Sequence, residues 1–119
     1  MKIETHIINN NRIAEVIAES PIIQSIEDGS DLVATIYYQD FDRIILYEKD
    51  ITPLFFDLKT GIAGEILQKF SNFRVRLAII GNFEKFKSKS IQDFIFESNK
   101  NRKINFVKSL DEALKIMSN

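Results

Sequence analysis

The chain has 119 residues, 45% of them hydrophobic and 28% charged, and a formal net charge of −1. With no Cys and a single His, the sequence excludes disulfide scaffolds, thiol catalysis, Cys-ligated zinc and a multi-His metal centre within one chain. The near-neutral balance is far from the basic footprint of a dedicated nucleic-acid binder. No apolar run approaches the roughly 18 residues of a spanning helix and no leader pattern follows Met1, so the expectation is one cytoplasmic domain over residues 1–119.

Ile3, Thr5 and Ile7 alternate with Lys2, Glu4 and His6, the period-two pattern of a half-buried strand. Asn9-Asn10-Asn11 follows and a second strand runs over Arg12–Ile17. Asn tolerates positive φ, so the run predicts a hairpin turn, and Ser20-Pro21 ends the second strand. His6 shares a strand face with Glu4 and reads as a surface residue.

Ser25-Ile26-Glu27-Asp28 predicts a helix start, a Ser cap with acids in the first turn, and Leu32, Val33, Ile36 and Tyr37 form the expected apolar stripe. Gln39–Asp42 breaks the helix. The continuous apolar run Arg43–Tyr47 predicts a strand covered on both faces. Thr52-Pro53 is a second helix start, with Pro at the first helical position. Leu54, Leu58, Ile62, Ile66 and Phe70 recur every four residues, with Gly61 and Gly64 inside the pattern. Each Gly costs about 1 kcal/mol against Ala, so a short turn at 53–57 and a helix at 60–71 are expected. Two adjacent Phe cannot both face inward on a helix; either one of Phe55 and Phe56 is partly exposed or an irregular turn buries both.

Val75–Ile80 is a strand with Val75, Leu77 and Ile79 on one face and Arg76 and Ala78 on the other. Ser90 caps a third helix with Ile91, Phe94 and Ile95 inward. Ile104–Val107 is the last strand. Ser109-Leu110-Asp111-Glu112 is a capping box for a final helix that turns Leu110, Ala113, Leu114 and Met117 to the core. The order ββαβαβαβα predicts an α/β domain with a mixed, mostly parallel sheet. Arg76 on one sheet face favours helices mainly on the other.

The segments ITPLFFDLKTGIAGEILQKFSNFRVRLAIIG, SIQDFIFESNK and INFVKSLDEAL resemble the bacterial domain-of-unknown-function family 4180 over essentially the whole chain. No activity carries over from that family. The hairpin and alternating order also resemble, more distantly, the STAS domains of sulfate-transporter tails and anti-sigma-factor antagonists. In the antagonists a phosphorylated Ser precedes a Gly at the start of the second helix, after an Asp-Ser-Ser-Gly run. Asp57-Leu58-Lys59-Thr60-Gly61 is similar and implies Thr60 at the phosphorylated position. It departs from the pattern by one extra residue, and by Lys59 where the family has a small hydroxyl.

Two groups of residues are therefore candidates. Asp57, Lys59, Thr60 and Gly61 form a possible regulatory or partner surface at a helix start. Glu48, Asp50, Asn82 and Lys108 lie at or beyond the carboxyl ends of parallel strands, where ligands bind in such sheets, and form a possible small-molecule or anion site. Neither group contains a nucleophile–base pair, a phosphate-cradling glycine loop or metal-ligand spacing, so the expectation is no catalytic residue, no metal and no cofactor. Residues 19–57 carry nine acids against Arg43 and Lys49, and residues 84–108 carry seven bases against three acids. That polarity suits a charged protein partner or a second copy of the chain. The interleaved Phe83 and Phe86 read as anchors of a solvated basic loop.

Overall fold

The computed structural model describes all 119 residues. Strand β1 (Lys2–Ile8) pairs antiparallel with β2 (Asn11–Ile17) through a two-residue turn in which Asn9 and Asn10 have φ of 53° and 66°. Two positive φ values in succession match the turn twist to the strand twist. The chain then alternates: α1 (Ile26–Tyr38), β3 (Arg43–Tyr47), α2 (Ile62–Asn72), β4 (Arg76–Ile80), α3 (Lys89–Lys100), β5 (Ile104–Val107) and α4 (Leu110–Met117). The sheet order is β1-β2-β3-β4-β5, and β2 to β5 are parallel. The α/β architecture expected from the alternation is therefore present.

Every crossover steps in the same direction, so right-handed connections place α1, α2 and α3 on one face. Their Val33, Ile36, Ile66, Phe70 and Ile91 form the larger core with Ala14, Ile44, Leu46, Leu77 and Ile79 of the sheet. The last helix obeys no crossover rule. It packs on the opposite face, where Ala113 and Met117 meet Ile13, Ile45, Ala78, Ile80 and Val107. Three helices thus share one face, as expected, while α4 covers part of the other. The carboxyl end of α4 is held there by Arg43, which donates to the carbonyls of Met117 and Asn119 at 2.7 Å, and by Arg76, which donates to Ile116 and Asn119. Cations at a helix C-terminus complement its dipole.

Local expectations are met with three adjustments. Tyr37 is not on the α1 stripe: five residues past Leu32 it is rotated by about 140°, and it lies half exposed against Phe73. The third helix begins at Lys89, with Ser88 rather than Ser90 at its cap position. Its first turn is pulled in by Gln92, which donates to the carbonyls of Phe83 and Phe86. The turn expected over 53–57 is a 3-10 turn, Pro53–Phe56, but a second one, Leu58–Thr60, follows it, so that α2 begins at Ile62 and not at residue 60. These turns resolve the Phe55–Phe56 alternative, because both rings are buried. Leu54 is the large apolar residue they leave exposed.

Candidate functional site

The carboxyl ends of the parallel strands bring only part of the expected ligand group together. Glu48 turns back over Gly81, and its Oε1 accepts from the Asn82 amide at 3.3 Å while its Oε2 is paired with Lys85. Asn82 uses its own side chain to accept from the Glu84 amide. Lys108 lies across the rim, 3.3 Å from Glu84. Asp50 points away from the other three. It is buried, its Oδ1 accepts from Lys49 at 2.8 Å, and its Oδ2 has no partner. Beside Glu48 and Lys85 a cleft of about 410 Å³ opens between Pro21, Pro53 and Phe56. The strand ends are thus largely neutralised by ion pairs of the chain itself.

The second candidate group stays together on the surface. Asp57 Oδ1 accepts from the Lys59 amide at 3.2 Å. The Thr60 hydroxyl donates to the carbonyls of Leu54 and Asp57, both at 2.9 Å, and accepts from the Ile62 amide at 3.2 Å. Gly61, not Thr60, occupies the cap position of α2, with a φ of 77° that an L side chain adopts only under strain. Asp57, Lys59 and Thr60 are exposed. A trough of about 290 Å³ runs beside them, lined by Phe56, Leu58, Ile91 and two serines of the α3 start.

The basic stretch does not form a single patch. Lys89 pairs with Asp93, Lys100 with Glu97, and Lys85 and Lys108 with Glu48 and Glu84. Phe83 and Phe86 anchor it as expected, stacking near Phe56, with the Phe56–Phe86 rings 4.7 Å apart.

One polar constellation escaped the sequence reading. On the face that carries α4, His6 Nε2 donates to Glu15 Oε1 at 2.8 Å and Tyr47 donates its hydroxyl to Glu15 Oε2 at 2.6 Å. Glu15 is 5% exposed. A buried carboxylate needs both oxygens satisfied, and His6 and Tyr47, on the two strands that flank β2, meet that need. Burial, then the Glu15 hydrogen bond and charge and the more distant Asp50, push the Tyr47 phenol up to about 12. The group stays neutral and donates. None of the five main clefts is lined by this triad, and its role in the geometry is to satisfy Glu15. The available signal was Glu15 itself, one acid inside the otherwise apolar run of β2.

No helix is long and apolar enough to cross a membrane. No curated protein and no solved structure matches the chain. The family described as "Domain of unknown function (DUF4180)" matches residues 8–117, and the chain belongs to that family.

Proposed function

We propose that this domain is a cytoplasmic, non-enzymatic interaction or regulatory module, STAS-like in type, whose protein partner docks on Asp57–Gly61 and the first turn of α2. The observation that carries the reading is the construction of that turn. Its side chains Asp57, Lys59 and Thr60 face solvent, while its backbone is pinned by internal hydrogen bonds over buried Phe55 and Phe56. A ridge that is already rigid loses little conformational freedom on docking, and the adjacent trough offers an apolar seat. Phosphorylation of Thr60 would add nearly two negative charges and remove the hydroxyl donor that the Leu54 and Asp57 carbonyls share. It would also sit beside the Ala63 and Gly64 amides, which have no hydrogen-bond partner in the chain. One modification would then reshape the ridge and turn it from neutral to strongly negative.

The test is capture of partners from the native cell lysate on immobilised wild-type chain, Lys59→Glu and Thr60→Glu. A discrete protein retained by wild type and lost from both variants, with melting curves unchanged, supports the module. Identical capture by all three, or none by any, removes it.

A second reading, a small-molecule or anion sensor at the strand carboxyl ends, is favoured by the cleft beside Glu48 and Lys85. A ligand present at 100 times its dissociation constant stabilises the fold by about 2.7 kcal/mol. A metabolite panel read by thermal shift, lost in Lys85→Ala, supports the sensor; a panel without any shift counts against it.

A further inference from the structure

All five arginines of the chain, Arg12, Arg43, Arg74, Arg76 and Arg102, lie at the amino ends of the parallel strands, opposite both candidate groups discussed above. Arg43 and Arg76 serve the α4 carbonyls, and Arg12 donates to the carbonyls of Gln39 and Asp40. Arg74 and Lys103 do neither. Their side chains make no ion pair and no hydrogen bond, and both are exposed at the mouth of a cleft of about 520 Å³ floored by Phe70, Val75 and Ile104. Arg76 lines the same cleft, and no acidic residue does. Burial, then Arg43 and Arg102, hold the Arg76 guanidinium below its ordinary range, against an opposing pull from Asp42.

The backbone supplies an independent observation. α2 ends in a Schellman turn: the Val75 amide donates to Phe70 at 3.0 Å and the Arg74 amide to Ser71 at 3.0 Å. The residue between must be left-handed, a position that ordinarily carries Gly. Here it is Arg74, at φ 56°. The turn therefore fixes an arginine at the mouth of a cationic, apolar-floored cleft, as the same turn fixes Asp40, at φ 67°, at the end of α1.

We infer that this cleft binds a small organic acid, with a phosphate or carboxylate head between Arg74 and Lys103 and an apolar body on the floor of Phe70, Val75 and Ile104. Planar guanidinium groups match either head through paired donors, and the buried floor favours a body with little polarity. This site is separate from the docking ridge and from the Glu48 cleft, so its fate in a test leaves both of those readings untouched.

The experiment titrates phenyl phosphate, phenylacetate, inorganic phosphate and phenol into the full chain, following backbone amide resonances. Saturable shifts confined to residues 70–76 and 101–104 with phenyl phosphate or phenylacetate support the site, and the tighter of the two identifies the head group. Inorganic phosphate and phenol should each bind at least about tenfold more weakly, since each lacks one half of the contact. Arg74→Gly should weaken binding by about tenfold while melting no lower than wild type, because Gly relieves the left-handed strain. Lys103→Gln should weaken it similarly. No saturable shift in the wild type overturns the inference, as does wild-type affinity in both variants. Equal affinity for inorganic phosphate overturns the role of the apolar floor.

Discussion

The hydrogen bond from Tyr47 to Glu15 is the most direct place to test the energetics of this fold. Tyr47→Phe keeps the ring on the sheet face and deletes one oxygen. Glu15 Oε2 then loses a donor at 2.6 Å, and the Glu15 side chain, 7% exposed, has no ready access to water. Hydrogen bonds to charged groups contribute about 1.5–3 kcal/mol, and stranding a buried acceptor falls in the same range. The expected loss is about 2 kcal/mol, which in a domain of this size lowers the melting temperature by about 8 °C. The alkaline limb gives a second, independent readout. The phenol has an ordinary value of 10 and is raised to about 12 in the folded chain. Above pH 10 the unfolded chain releases this proton while the folded chain keeps it. The stabilisation is therefore complete below pH 10 and is lost as pH rises through about 12. Tyr47→Phe lacks this term, so the gap between the two proteins should narrow across that window. Urea unfolding at pH 8 and at steps from pH 9 to 12 measures both effects. A variant within about 0.5 kcal/mol of wild type at pH 8, with a parallel alkaline limb, would refute the account of Glu15 as a satisfied buried acid.

Two glycines give opposite expectations from the same substitution. Gly64 lies in α2 with open space where a Cβ would stand, so Gly64→Ala should raise stability by about 1 kcal/mol through helix propensity alone. A Cβ at Gly29 in α1 would lie 2.9 Å from Ile66 Cγ1 in the fully buried α1–α2 contact. Overpacking of 1–3 kcal/mol outweighs the propensity gain, so Gly29→Ala should lose about 1 kcal/mol. Adding it to Ile66→Ala should cost less than it does alone, because the obstructing atoms are gone. Chemical denaturation of the three variants and the double variant decides both points. Ser109→Ala removes the cap that accepts from the Glu112 amide at 3.1 Å and should cost about 1 kcal/mol. Rapid amide exchange confined to α4 would be its local signature.

Much of the fold was legible because the rules involved act within a few residues. Paired asparagines set the hairpin; Ser25 and Ser109 set two helix starts through hydrogen bonds to Asp28 and Glu112; apolar runs set β3, β4 and β5. The candidate sites were less legible. Asp57 to Gly61 lie within five residues and stay together for that reason. Glu48, Asp50, Asn82 and Lys108 come from three strand ends, and whether they converge depends on side-chain directions beyond those ends. Asp50 turns inward to Lys49, and Lys108 reaches sideways to Glu84.

What the sequence determined by itself is the list of strands and helices, the caps of α1 and α4, most of the apolar faces and the mixed α/β class. Strand order and register were decided only in three dimensions. They set His6, Glu15 and Tyr47 beside one another from β1, β2 and β3, and they gather five arginines from four loops at one end of the sheet. The side taken by α4 belongs to the same class. A helix between parallel strands is constrained by the hand of its crossover, but a helix after the last strand goes wherever apolar surface remains. Here that was the face bearing Ile13, Ile45, Ala78 and Ile80, with Arg43 and Arg76 ready for its carbonyl end. Local sequence carries no record of which surface a later element will find uncovered, because that depends on every strand already in place.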